Sequence, residues 1–412
     1  MPFTANEMLS IRFPQNRFAD FYLYDLTLTE GISELYRADA VILSDTLHTY
    51  EQLAEALSLK ATISVTQRLN DSKTTRTRYF SGIVTEISHA GIFYGSNKQD
   101  CFCYRLTIEP EMSRLRHVVR KVAYTRKTPL DVITEMLSEY GIVPNFSEEF
   151  ISRRPFNTFC IYNQETEPDE RFLKRLLSLY GLSFTFRHKK APADGSGETE
   201  LYFSAGELFP DGTDISYSDG RALPPVSDFD FRSSDEARNL WKLDRWTMEN
   251  KTGFDGVLLH ESYPNANVGS GAWKAGKTNP GDRRRVYTKH FHSYAREISK
   301  EMVDADVGLI LNAQLRAFEI RREIWQGAAE NLLLTPGRLI RIRHFYGQRD
   351  GNVLQAMVTK STLHCRSKWP QSFAVSPEMN TEQEKIEAVF DAMNYGPQAV
   401  KRFCPEPAEQ EG

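Results

Sequence analysis

Cysteine is scarce and unpaired in this chain. Five thiols in 412 residues (Cys101, Cys103, Cys160, Cys365 and Cys404) make neither a disulfide framework nor a CxxC zinc motif. They predict buried free thiols and folding in a reducing compartment. Long hydrophobic runs are also missing. The longest, around "VGLIL" at 307–311, falls far short of the ~20 residues a membrane span needs, and the N-terminus has no apolar signal core. Charge of one sign is absent too. The 51 Lys+Arg against 55 Asp+Glu leave a net −4, so no basic field exists to hold nucleic acid or an anionic membrane. HExxH and GxSxG motifs do not occur, and the nine histidines are scattered. No catalytic, cofactor-binding or metal-binding residue is assigned.

What is present is a β-α-β order. Residues 1–115 alternate in short runs such as "FYLYDLTLT", "ATISVTQRL" and "CFCYRLTIEP", broken by one short helix, "TYEQLAEAL". In residues 116–225 two helices are well punctuated. The first has Thr128 as N-cap, Pro129 at N1, Asp131 in the first turn and Gly141 at its exit. The second, "EPDERFLKRLLSLYG", carries an apolar stripe of Phe172, Leu173, Leu176 and Tyr180 and ends at Gly181. A hairpin of "LSFTFRH" and "ELYFSAG" follows. Residues 226–370 turn β again around a helical pattern predicted over about 295–326. Residues 371–412 read as a short helix and an acidic tail. The fold class is therefore α+β, with a helix-containing insertion between two β regions.

The β regions share a layout. "LAEALSLKATISV" then "YFSGIVTEISHAG" parallels "AENLLLTPGRLIRIR" then "VLQAMVTKSTLHC". Val84-Thr85 with His89 matches Val358-Thr359 with His364, one residue longer. Two similar β domains in one chain are the expectation.

One stretch argues for something else. "GAWKAGKT", residues 271–278, fits the P-loop pattern letter for letter. A P-loop needs a helix starting at the Lys-Thr pair, and Pro280 and Gly281 occupy that first turn. The expectation is a glycine-rich basic loop joining two strands, with Lys274 and Lys277 near its tip. Other candidates read blandly: His290 and His292 as strand residues, and the pairs Glu148-Glu149 and Asp169-Glu170 as solvated charges. Trp241, Trp246 and Trp273 read as packing residues.

Residues 79–188 carry a resemblance. Gly82, Val84 and Thr85, then Tyr104, Leu106 and Pro110, then Asp131, Leu137, Glu139 and Gly141, resemble in order and spacing the VgrG / phage late control protein D family. Glu165, Phe172, Leu173, Arg175, Leu176, Gly181, Phe184, Phe186 and His188 continue the pattern. "IYNQ" at 161–164 and Pro168 depart from it. The resemblance implies two tube-like antiparallel β-barrel domains and a non-enzymatic structural role as baseplate hub of a contractile injection system, of the type VI secretion or phage tail kind. It also implies a homotrimer adapting a sixfold tail tube (an Hcp-like protein) to a threefold spike, with baseplate proteins or effectors as further partners. The oligosaccharide/oligonucleotide-binding (OB) and β-helical spike domains of a full VgrG have no counterpart here, so either the spike is expected to be a separate protein or the chain is a truncated hub. Assembly in the cytoplasm, then export with the apparatus, is implied. Two other classes remain open: a nucleotide-binding enzyme using Lys277 and Thr278, and a β-rich ligand-binding module.

Overall fold

The computed structural model describes residues 8–69, 74–94, 100–147, 160–189, 197–204, 215–220, 226–230, 240–250, 256–261, 271–276, 286–291, 300–321, 323–343, 353–370 and 383–395. Before Pro110, apolar residues recur at alternate positions and the chain is extended there. The strands are β1 (Leu9–Arg12), β2 (Tyr22–Gly31), β3 (Arg37–Ser44), β4 (Lys60–Arg68), β5 (Thr75–Tyr94) and β6 (Asp100–Glu109). Helix α1 (Tyr50–Ala54) lies between β3 and β4 and starts in a capping box: Gln52 N–H donates to Thr49 Oγ1, and Thr49 N–H donates to Gln52 Oε1. The strands pair antiparallel in the order β1-β4-β5-β6-β3-β2.

Next come β7 (Val119–Lys127), α2 (Pro129–Ser138), β8 (Pro144–Phe146), β9 (Cys160–Pro168), α3 (Asp169–Tyr180), β10 (Ser183–His188), β11 (Thr199–Ser204) and β12 (Ile215–Tyr217). Both helices sit where their punctuation places them. Thr128 caps α2, and Gly141 and Gly181 leave the helices at φ 70° and 65°, the left-handed region glycine enters without a Cβ clash. Strands β10 and β11 form the expected hairpin, with β8 parallel to β11. The stripe of Phe172, Leu173, Leu176 and Tyr180 is buried against Ile133 and Leu137 of α2 and Phe184 of β10, giving this region its own core.

The last part holds β13 (Val226–Asp230), β14 (Leu240–Lys242), β15 (Arg245–Asn250), β16 (Gly256–Glu261), β17 (Gly271–Gly276), β18 (Val286–Phe291), α4 (Lys300–Ile320), β19 (Glu323–Ala329), β20 (Leu339–Arg343), β21 (Leu354–Arg366) and β22 (Lys385–Asn394). Two expectations fail here. The helix predicted to reach residue 326 stops at Ile320. Residues 323–329 are a strand because they pair with β15 on one side and β22 on the other, and Trp325 is fully buried between them. The C-terminal helix expected beyond residue 371 is instead β22 where the chain is described. Ala388, Phe390 and Ala392 alternate into the core while both strand edges are hydrogen-bonded. The tail from 396 lies outside the described residues.

Strand order repeats. The run β4-β5-β6-β3-β2 has a counterpart in β20-β21-β22-β19-β15, strand for strand. The bulges repeat as well: the ladder slips between Val84 and Glu86, and again between Val358 and Lys360, so Thr85 and Thr359 are the extra residues. Even the flanking backbone bonds recur. Ser58 N–H donates to Val84 O (2.8 Å) and Val84 N–H to Leu59 O (3.0 Å); Gly337 N–H donates to Val358 O (2.8 Å) and Val358 N–H to Arg338 O (2.9 Å). The matching of His89 with His364 is not sustained. His89 stands opposite Tyr104, where the second unit has Leu363 opposite Ala388, because His364 lies one residue farther beyond the shared bulge than His89 does. Strand β2 pairs antiparallel with β21 and joins the two units into one fourteen-stranded sheet. Among the described residues the sheet does not close into a barrel.

Candidate functional site: an ionic seam and two open strand edges

The stretch that imitates a P-loop is a strand rather than the expected loop. Gly271–Gly276 pairs residue by residue with β16, from Gly271 opposite Glu261 to Gly276 opposite Gly256, and Lys274 stands opposite Leu258. Backbone groups in that ladder are not arranged as a phosphate cradle. Lys277, Thr278 and Pro280 lie outside the described residues, as do His292, Glu148 and Glu149; His290 lies within β18. Trp246 packs edge-on to Trp325, at 5.4 Å between ring centroids, and is buried as expected. Trp241 lies in β14 and Trp273 in β17. Cys101 and Cys103 are buried free thiols beside Leu43 and Trp369. Among the described residues, no three His, Cys, Asp or Glu side chains are placed to hold a metal ion, and no helix is long and apolar enough to cross a membrane.

The polar chemistry is concentrated where the insertion meets the first β unit. Asp169 and Glu170, read as solvated charges, are both buried. Their helix starts against the sheet, and each carboxylate is matched to a guanidinium. Arg120 Nε donates to Asp169 Oδ1 at 2.8 Å, and Tyr140 OH donates to Asp169 Oδ2 at 2.6 Å. Arg116 bridges Glu170 of α3 (2.9 Å) and Glu109 at the end of β6 (2.7 Å). These bonds satisfy carboxylates at a helix N-terminus, where the helix dipole favours them.

Deeper in, Arg78 of β5 pairs with Glu30 of β2, both buried, and the Arg78 guanidinium lies 4.5 Å from the Phe80 ring centroid. His188, the last residue of β10, is fully buried beside them. Its Nδ1 accepts from Ser81 N–H at 3.2 Å, which leaves the ring proton on Nε2, 3.6 Å from Glu30 Oε1. Burial pushes the Glu30 carboxyl up, but the Arg78 charge and His188 outweigh it and hold the group below its ordinary value. Tyr36 OH donates to Ser81 O, and Thr199 Oγ1 donates to the same oxygen at 2.7 Å. This pins the β10–β11 hairpin on the sheet. A Cβ on Gly82 would stand 2.5 Å from Glu109 O and 2.8 Å from Tyr36 OH, so the close approach requires glycine. Sequence reading missed Arg76 and Arg78, since a run of basic residues in "TTRTR" reads as surface. Their alternate spacing on one strand face was the available signal.

Two strand edges remain. On the side of β5 that carries β4, residues 86–94 have no strand partner among the described residues; β15 likewise pairs only with β19. Beside the β5 edge runs a groove of about 510 Å³, lined by Leu47, Tyr50 and Leu57 around α1 and by Ile87, His89 and Ile92. Its apolar lining is exposed, with Tyr50 at 83 % and Leu57 at 44 %. Open edges and exposed apolar grooves are features of chains that assemble.

Two antiparallel units joined edge to edge, with a helical insertion between them, make up the fold. The sequence matches the phage tail baseplate hub (GPD) family over residues 29–369, and the chain belongs to that family. It is a structural tail protein of the baseplate-hub kind. No curated protein matches it. Several solved structures share its fold. One is the E. coli c3393 protein, a component of the type VI secretion system described as similar to the T4 bacteriophage tail proteins gp27 and gp5. It is 15% identical, with TM-score 0.58, over 98% of this chain and 80% of that one. A tail protein from Neisseria meningitidis is 12% identical, with TM-score 0.53, over 94% and 96%. A chain of the Francisella PdpA-VgrG complex is 9% identical, with TM-score 0.51, over 97% of this chain and 59% of that one.

Proposed function

We propose that the chain is the non-enzymatic hub of a contractile injection machine, a homotrimer that adapts a sixfold tail tube to a threefold spike. One observation carries this reading. The five-strand unit occurs twice, with the same order, the same bulge and an edge-to-edge joint. Three such chains present six equivalent units to a sixfold partner while keeping threefold symmetry for the spike. The tube protein stacks on one face of the ring, and the spike stands on the other. The chain assembles in the cytoplasm and leaves with the apparatus. The buried ions serve packing: they lock the insertion to the first unit.

Native mass measurement and negative-stain microscopy of the purified chain at micromolar concentration test this. A threefold ring of three chains is expected. A strictly monomeric mass under all tested salt conditions refutes it.

A further inference from the structure

The repeat identifies what covers the groove. Strand β2 of the first unit corresponds to β15 of the second. Leu28 stands opposite Ala38, and Met248 opposite Trp325. Ala38 and Trp325 in turn face Ile108 and Ala392, the partners of Val84 and Val358. Strand β5 corresponds likewise to β21. Within the chain, β2 lies on β21 just beyond the shared bulge, from Gly31 opposite Lys360 to Asp25 opposite Arg366. The same relation between β15 and β5 is empty among the described residues, and those are the two open edges.

Burial follows the occupancy. Where β2 is in place, Leu28 is 1 % exposed, and Leu332, Leu333 and Leu334, in the turn between β19 and β20, are all buried. Where the counterpart is missing, Met248 is 39 % exposed, as is Ile92, and the longer connection between β3 and β4 buries Leu53 and Ala56 but leaves Tyr50 and Leu57 bare. The first unit thus has the apolar socket of the second without its strand, and the second unit has the strand without its socket.

We propose that β15 of one chain fills this socket on a second copy, extending the sheet antiparallel along residues 86–93. This rests on the ring reading above and specifies its joint. Transferring the β2–β21 register residue by residue places Asn250 opposite Ile87, Glu249 opposite Ser88 and Met248 opposite His89. Past the β5 bulge it places Thr247 opposite Gly91 and Trp246 opposite Ile92. Met248 then lies on the same sheet face as Ile87 and His89 and enters the groove, as Leu28 does inside the chain. The two edges differ, so the joint is head-to-tail. Because it repeats the joint inside the chain, successive units turn by the same step, and a step without rise closes the series into a ring.

Single variants Met248→Cys and His89→Cys, mixed and oxidised, test the joint. Antiparallel partners sit about 4.5–5.5 Å apart at Cα, within disulfide reach. A mixed disulfide-linked dimer, with the 248–89 link found by peptide mass mapping and missing when either variant is oxidised alone, is the expected result. Met248→Asp should weaken assembly at least tenfold with an unchanged circular dichroism spectrum, while Met248→Leu assembles normally. A ring of native mass that yields no mixed dimer and tolerates Met248→Asp overturns this joint and leaves the ring reading standing. A 248–89 bond formed within one chain of the double variant, without mixed dimers, overturns the joint by naming the chain itself as occupant. A monomer in every condition overturns the ring and the joint together.

Discussion

Replacing Arg78 by methionine keeps an apolar stem of similar length in the core and removes the charge that holds Glu30. The Glu30 side chain is 8% exposed, and its remaining neighbour, His188 Nε2, is 3.6 Å away. Leaving one partner of a buried ion pair without the other costs about 3–5 kcal/mol. For a cooperative unit of ~150–250 residues that is a fall of roughly 6–20 °C in melting temperature. The effect also has a pH signature. In the native protein the Glu30 carboxyl titrates below its unfolded value, so its stabilisation is complete above the unfolded carboxylate pKa and is lost as pH falls through the folded one. Without Arg78, burial dominates and raises the folded pKa, so the variant regains stability as pH falls from neutral towards the unfolded pKa. Thermal melts monitored by tryptophan fluorescence at several pH values measure both effects. Pairing Arg78→Met with Glu30→Gln should recover much of the loss, because the uncompensated charge is gone. A loss under ~1 kcal/mol in Arg78→Met, or a pH profile parallel to the native one, refutes the account of a buried, mutually dependent pair.

Three other perturbations probe separate parts. Leu176→Ala removes a side chain buried between α2 and α3 and should cost about 2–5 kcal/mol, read as a shift in urea midpoint; tolerance would mean the helix does not dock as described. Gly82→Ala drives a Cβ to 2.5 Å from a backbone oxygen that the sheet holds in place; a loss of at least ~1–3 kcal/mol is expected, and a neutral melt contradicts the close approach. Burial pushes the Cys101 and Cys365 thiols up to about 12, so the thiolate fraction at pH 8 is on the order of 10⁻⁴. Labelling with a thiol-reactive disulfide reagent should therefore leave both unmodified in the folded protein and modify both in denaturant, and rapid native labelling of either would place it at the surface.

Much of this architecture was legible because local chemistry and tertiary placement agree. Thr128, Pro129 and Asp131 announce α2, and a helix forms there with its capping box intact. The stripe from Phe172 to Tyr180 names the face that is buried. The Val-Thr dipeptides were legible as a repeat, and the reason is now physical: Thr85 and Thr359 are the extra residues of matching bulges. Where reading failed, pairing from far along the chain decided. Trp325 continues the spacing of Leu315, Phe318 and Arg322, so the helical pattern runs on in sequence after the helix has ended. Strand formation at 323–329 depends on β15 and β22, some 75 residues before and 60 after, which no local window contains.

The seam was hidden for a related reason. Asp169 and Glu170 at a helix start match the ordinary surface pattern, and the approach of Arg116, Arg120 and Tyr140 makes their burial tolerable. Arg76 and Arg78 resemble a solvated basic turn until β12 and β2 cover them. The open edges, by contrast, become visible only through the repeat. Exposed Met248, Tyr50 and Leu57 would pass as scattered surface apolar residues in isolation. Set beside Leu28, which holds the position corresponding to Met248 and is buried, Met248 and the bare apolar residues along the β5 edge are the two halves of a joint that one chain cannot complete by repeating its own geometry. Folding thus stops one joint short, and the joint it leaves open is the one its internal copy specifies.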